Sequence, residues 1–231
     1  MPVAIIVAGL IVAGAIIFAI GRKATPEPVP TDDSFASGDI EKMKPVDASD
    51  HIFGDAKAPV KIVEYSDLEC PFCKRFHETM LQAAEDYKGK VAWVYRHFPL
   101  DAIHSQARKE AGATECAAAL GGPLGSEASN DVFWKYTNKL LEITPSNDGL
   151  DLAELPKIAG QVGLKVSEFN DCLKSDKYAK EVEADYQDGL AIGVQGTPHS
   201  IVITKSGKKL TISGAQPLSE VKKIIEQALE E

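Results

Sequence analysis

The chain has 231 residues, of which 44% are hydrophobic and 26% charged. That is room for one ordinary domain plus an appendage, and it excludes a collagen-like, wholly disordered or multi-span membrane chain. A formal net charge of −9 with no basic block offers no electrostatic attraction to nucleic acid or to an anionic membrane surface.

Pro2 to Ile20 carries no charge and is apolar almost throughout. Such a run, helical at about 1.5 Å per residue, covers the roughly 30 Å core of a bilayer. It ends at Gly21-Arg22-Lys23 without an Ala-x-Ala site, so residues 1–23 read as an uncleaved single-pass N-terminal transmembrane helix. The alternative is a signal peptide trimmed after Ala24. Arg22 and Lys23 follow the span, which by the positive-inside rule points the rest of the chain to the cytoplasm. The cysteine chemistry below points outside the membrane and outweighs two charges set against one terminal amine. Residues 24–57 hold alternating Pro26, Pro28 and Pro30 and then Asp32, Asp33, Asp39, Glu41, Asp47, Asp50 and Asp55. This composition predicts an acidic, solvated linker with an extended start.

The folded part is expected over 58–231. Val60 to Ser66 is rich in β-branched residues and predicts a strand. Cys70 to Tyr87 predicts a helix, with Phe72, Phe76, Met80, Ala83, Ala84 and Tyr87 on one stripe. Val91 to His97 predicts a second strand, completing a unit of βαβ length. Residues from about 102 to 192 read as mostly helical, with Ala113, Cys116, Ala117 and Leu120 on one face. Gly121 to Ser126 is a glycine-rich breaker without the Lys-Ser/Thr ending of a phosphate loop. Helices are expected over 131–141, around Leu152 to Val162 with Pro156 in the first turns, after Ser167 as an N-cap, and over 177–192. Ser200 to Thr204 and Lys209 to Ser213 flank a turn at 205–208 as a hairpin, and Leu218 to Leu229 forms a terminal helix.

Chemistry concentrates at Cys70-Pro71-Phe72-Cys73, just after the first strand and at the start of the first helix. Unpaired amides and the dipole at a helix N-terminus stabilise an anion. A thiolate there has a lowered pKa, and the thiolate is the attacking species in disulfide exchange. Pro71 is tolerated in the first turn, where its missing N–H leaves nothing unsatisfied. Cys70 is thus expected to be the nucleophile and Cys73, a turn deeper, the resolving thiol. Half a structural zinc site also uses this spacing, but Cys116 and Cys172 are isolated from each other and form no second knuckle. His77 reads as a surface histidine or as a group tuning the thiolate through its charge.

The segment VEYSDLECPFCKRFH resembles the active-site segment of the DsbA-like branch of the thioredoxin superfamily. The likeness runs from about Pro59 to Glu231. Its further landmarks are Arg96-His97-Phe98-Pro99-Leu100, Phe133-Trp134 and Gly193-Val194-Gln195-Gly196-Thr197-Pro198. It implies an α/β, thioredoxin-like fold with the helical insertion at about 102–192 between a βαβ half and a ββα half. It also implies that Pro198 is a cis-proline lying against the active-site pair, with Thr197 offering backbone groups to a bound peptide. Glu64 matches the family's buried acid, which relays the proton of the deeper cysteine; its alternative is a strand-edge carboxylate in water. Cys116 and Cys172 match a second cysteine pair that bridges the helical insertion in part of the family, which implies a structural disulfide here, and two buried free thiols are the other reading. Two features depart from the pattern. Phe72 stands where strongly oxidising members carry histidine, which implies a weaker oxidant, and Thr197 also occurs among isomerase-type relatives. His199 either faces the site with its charge or simply opens the next strand.

The resemblance implies a membrane-tethered thiol:disulfide oxidoreductase, a monomer with its catalytic domain extracytoplasmic, acting on reduced, unfolded exported proteins. No prosthetic group is expected, since the cysteines carry both electrons. A membrane partner of the DsbB or vitamin-K-epoxide-reductase type is implied for reoxidation. Isomerase or reductase chemistry on the same fold, or a non-catalytic chaperone-like module, are the alternatives.

Overall fold

The computed structural model of the protein describes residues 39–231. The expected anchor over 1–23 and the first part of the expected linker lie outside the described residues. Among the described residues, no helix is long and apolar enough to cross a membrane.

The elements in chain order are β1 (His51–Gly54), β2 (Val60–Ser66), α1 (Pro71–Asp86), β3 (Val91–His97), α2 (Ala107–Gly121), α3 (Glu127–Ile143), α4 (Leu155–Gln161), α5 (Val166–Ser175), α6 (Ala179–Ala191), β4 (His199–Ile203), β5 (Lys209–Ser213) and α7 (Leu218–Glu230). The strands form one mixed sheet in the order β1-β3-β2-β4-β5. β2 and β3 are parallel, as the intervening helix requires. β1, β4 and β5 each run antiparallel to their neighbours.

Side chains alternate across the two faces with a period of two. Ile62, Trp93 and Tyr95 enter the larger core with Phe76 and Met80 of α1 and Val221 and Ile225 of α7. Val63, Tyr65 and Val94 enter a second core with Met43, Ile192 and Val194. Both faces of β2 are therefore covered. The insertion helices complete the larger core through Cys116, Phe133, Trp134, Leu140, Leu155, Ile158 and Phe169. A disulfide joins Cys116 of α2 to Cys172 of α5 across 56 residues.

The linker expected over 24–57 is corrected from residue 39 onward, where the chain is part of the fold. A short 3₁₀ turn, Ile40–Lys42, leads to a buried Met43, and His51–Gly54 is an edge strand paired with β3. Asp50, which composition assigned to solvent, is buried against Arg96. Charge density misled here because one internal guanidinium absorbs an acid that looks solvated in the sequence. The glycine-rich breaker has a packing role: a Cβ at Gly125, whose φ is +79°, would lie 2.0 Å from the Ala48 carbonyl oxygen. Ser167 is not an N-cap. It lies inside α5, which starts after Lys165 without a side-chain cap.

Candidate active site

The parallel pairing of β2 with β3 and the antiparallel pairing of β2 with β4 bring the site together. Tyr65, near the end of β2, faces His199, the first residue of β4. Pro198 thus sits at the same end of the sheet as the loop from β2 to α1. The Thr197–Pro198 peptide bond is cis, and the Cys70 thiol donates to the Thr197 carbonyl at 3.5 Å.

Cys70 is the N-cap of α1, with Pro71 at the first helical position. Both cysteines are free thiols and buried. Cys70 is pushed down to about 6, first by a hydrogen bond from the Cys73 thiol, against burial, and with help from the Cys73 and Phe72 amides and Thr197. The Thr197 hydroxyl has no other partner. Cys73 is pushed up, first by burial and then by Cys70 and Glu64; its sulfur accepts the Asp67 N–H at 3.4 Å. The amides that stabilise the Cys70 thiolate are those left open at the helix start.

Glu64 is fully buried on the central strand, not at a wet edge. The period of two from Ile62 places it on the α1 side of the sheet. One carboxylate oxygen accepts Trp93 Nε1–H at 2.9 Å and the other has no partner. Burial raises it to about 7, opposed by nearby Ser66 and by the Trp93 hydrogen bond.

Sequence reasoning missed the group that shapes this loop. Asp67 is buried, and its carboxylate accepts the Glu69 N–H (2.7 Å), the Leu100 N–H (2.7 Å) and His104 Nδ1 (2.9 Å). Burial lowers the His104 pKa, but Asp67, the Cys70 thiolate and Asn147 win and raise it. The only sequence signal was an Asp before the cysteine pair; nothing local announces a partner 37 residues away.

One of the two histidines singled out from the sequence needs correction. His77 is buried, not on the surface. It lies between Trp93 and Trp134 and bonds Asn138 at 2.7 Å. Burial pushes it down to about 4, so it is neutral at pH 7 and adds no charge to the thiolate. His199 opens β4 as the plainer reading expected, and burial lowers its pKa as well. Phe72 is 54% exposed beside the cysteines, with the Arg75 guanidinium 5.3 Å from its ring centre.

Cys116 and Cys172 are consumed in their disulfide, which removes them as zinc ligands. Among the described residues no group of three or more His, Cys, Asp or Glu side chains is arranged for a metal ion.

The family model described as Thioredoxin matches residues 47–227. The chain belongs to the thioredoxin family. The match begins ahead of β1, in agreement with the integration of that strand. Among solved structures, this thioredoxin-family chain is similar to Pseudomonas aeruginosa DsbA2, with a TM-score of 0.65 and 25% identity over 81% of this chain and 98% of that one. It shares its fold with oxidised BdbD from Bacillus subtilis, with a TM-score of 0.68 and 24% identity over 82% of this chain and 97% of that one. The architecture is that of DsbA-like thiol-disulfide oxidoreductases. Curated relatives include a Salinispora tropica protein named Na(+)/H(+) antiporter NhaA 3, 33% identical over 71% of this chain and 23% of that protein. Another, from Mycolicibacterium gilvum, is named Na(+)/H(+) antiporter NhaA 1 and is 28% identical over 82% of this chain and 29% of that protein. The chain thus spans about a quarter of the length of the curated relatives it matches.

Proposed function

We propose that the protein is a membrane-tethered thiol:disulfide oxidoreductase that oxidises cysteines of exported proteins. One observation carries this reading: the opposed thiols of one helical turn, Cys70 pushed down at the N-cap of α1 and Cys73 pushed up behind it. In the oxidised enzyme a client thiolate attacks Cys70 Sγ. The Cys70–Cys73 bond breaks, Cys73 leaves with the electron pair, and Glu64, protonated in part at neutral pH, supplies its proton. A second client thiolate then attacks the client sulfur of the mixed disulfide and expels Cys70 as a stabilised thiolate. Two electrons have moved from client to enzyme, and no prosthetic group takes part.

Stabilising the reduced form is what makes such a pair an oxidant, so the depressed Cys70 favours donation of disulfides over reduction. The Thr197 carbonyl meets the Cys70 thiol, and with Pro198 next in the chain it suits a platform for an extended client segment. Exposed Phe72 offers it an apolar contact. Oxidation of this kind belongs outside the cytoplasm, with the domain held there by the N-terminal span. A membrane partner of the DsbB or vitamin-K-epoxide-reductase type would return the pair to the disulfide.

The test is a redox titration of the full chain in glutathione buffers, with alkylation trapping and mass spectrometry of each cysteine. A Cys70–Cys73 potential well above the thioredoxin value of about −270 mV, and short of about −120 mV for DsbA because of Phe72, is expected; one near about −270 mV would make it a reductant and overturn the proposal. Cys70→Ser must abolish catalysed oxidation of a reduced client. Turnover surviving in that variant would remove the enzymatic reading, and client binding alone would favour a chaperone-like module.

A further inference from the structure

Glu69, the residue before Cys70, and Glu110, in the first turn of α2, are both fully buried. Glu69 is bound on three sides. Its N–H donates to Asp67 at 2.7 Å, its carbonyl accepts the Asn147 N–H at 2.8 Å, and one carboxylate oxygen accepts the Asp148 N–H. Ser146, Asn147 and Asp148 have φ of 66°, 54° and 59°. Three successive non-glycine residues in the left-handed region hold only where surroundings over-determine them. The Asp148 carboxylate in turn accepts the Ser105 and Gln106 N–H groups at 3.1 and 2.9 Å, just ahead of α2. Glu69 therefore ties together the cap of α1, the 146–148 turn and the start of α2.

Three carboxylate oxygens in this tie have no donor: the second oxygen of Glu69 and both of Glu110. The Glu110 carboxyl faces that of Glu69, and neither can donate to the other unless a proton lies between them. The groups facing the pair are Asp67 from the loop after β2, Asp148 from the turn, and Tyr136 from α3, whose hydroxyl is committed to the Leu155 carbonyl. His104, the nearby base, is committed to Asp67. Two ionised carboxylates buried here without a cation are strongly unfavourable. One shared proton turns them into a charge-assisted O–H···O⁻ bond.

We propose that Glu69 and Glu110 hold one proton between them and act as positioning residues, their shared bond fixing Cys70 at the start of α1 against α2 and the 146–148 turn. Burial first, and then Glu69, Asp67 and Asp148, push Glu110 well above the usual carboxylate range, as such sharing demands. The sign of the linkage follows. The contribution of the proton to stability is complete below about pH 4.3, where a free glutamate titrates, and is lost progressively as pH rises toward the folded-state value.

Two measurements on the full chain test this. In urea unfolding between pH 5 and 8, Glu110→Gln keeps a donor to Glu69 but cannot ionise. Its folding constant relative to wild type should rise about tenfold per pH unit; other titrating groups are common to both chains and cancel. A ratio constant with pH overturns the shared proton. In the second measurement, Cys70 alkylation by iodoacetamide is followed against pH. Glu110→Ala should shift the profile upward, slowing reaction at pH 5 about tenfold, the effect of one pKa unit. Glu110→Gln should keep the wild-type profile. An unshifted Ala profile, or a Gln profile shifted like it, overturns the positioning role. Glu110→Asp, which withdraws the carboxyl by one methylene, replaces Ala if that variant does not fold. The second measurement rests on Cys70 as the attacking thiol; the first involves no cysteine, so failure of that reading and failure of the shared proton are told apart.

Discussion

At pH 7 Glu64 is near the midpoint of its own titration, which suits an acid that must both give and take the proton of Cys73. Below pH 7 it is mostly protonated and cannot accept; above, it is a carboxylate that can. The step that needs acceptance is the attack of Cys73 on a mixed disulfide held at Cys70. Its rate should rise with pH and level off above about 7. Glu64→Gln should remove that inflection and slow the step at pH 7.5 by roughly 10²-fold, the lower end for general acid–base help. Rapid acid quench and mass spectrometry of the mixed disulfide measure it. An unchanged profile would reduce Glu64 to a hydrogen-bond acceptor for Trp93. At this scale Cys70 and Cys73 were legible from their place at a helix start, whereas Glu64 was singled out only through the family resemblance, since its position on a strand left a solvated carboxylate open as well. Asp67, His104 and the Glu69–Glu110 pair were not legible, because each depends on a partner that only the fold brings near.

Between elements, the disulfide from α2 to α5 carries a separate job. It ties α5, which buries only Phe169 fully, to α2. Closing a loop of 56 residues restricts the unfolded chain by about 4 kcal/mol in the entropy model. Cys116→Ala with Cys172→Ala should lower the free energy of unfolding by about that amount, less whatever strain is relieved, and leave the Cys70–Cys73 potential unchanged. Urea unfolding with cysteine trapping checks both; a shifted potential would show that the insertion and the redox pair are energetically linked. Elements with clean periodicity were readable to the residue, as β2, β3 and β5 show. β1 was not. Four residues at a sheet edge, set in an acidic stretch, give no alternation long enough to stand out.

For the molecule as a whole, the domain starts earlier than the change of composition suggests. Arg96 is fully buried and binds the segment ahead of β1. Its Nε and one Nη hold both oxygens of Asp50 at 2.8 and 3.1 Å, and it donates to the carbonyls of Lys44 and Pro45 at 3.0 and 3.2 Å. Its remaining bonds go to Asp188 at 2.7 Å and to the Tyr65 hydroxyl at 3.3 Å. His51 adds a bond to Glu115 at 2.7 Å and stacks on Phe133. A chain begun at residue 58 loses all of the first set. It leaves the guanidinium with one carboxylate, opens the edge of β3 and uncovers the surface under Met43. Removing one side of a buried ion pair alone costs about 3–5 kcal/mol, against a total stability of about 5–15 kcal/mol for a domain. A chain begun at residue 39 keeps every one of these contacts and should stay folded at 37 °C. One begun at 58 should be largely unfolded at 37 °C, as circular dichroism would read. Equal melting of the two would make residues 39–57 the passive tether that their charge implies. The expected difference makes them instead the strand and counter-ion that hold Arg96, and through Tyr65 and Asp188 they brace the central strand that leads into Cys70.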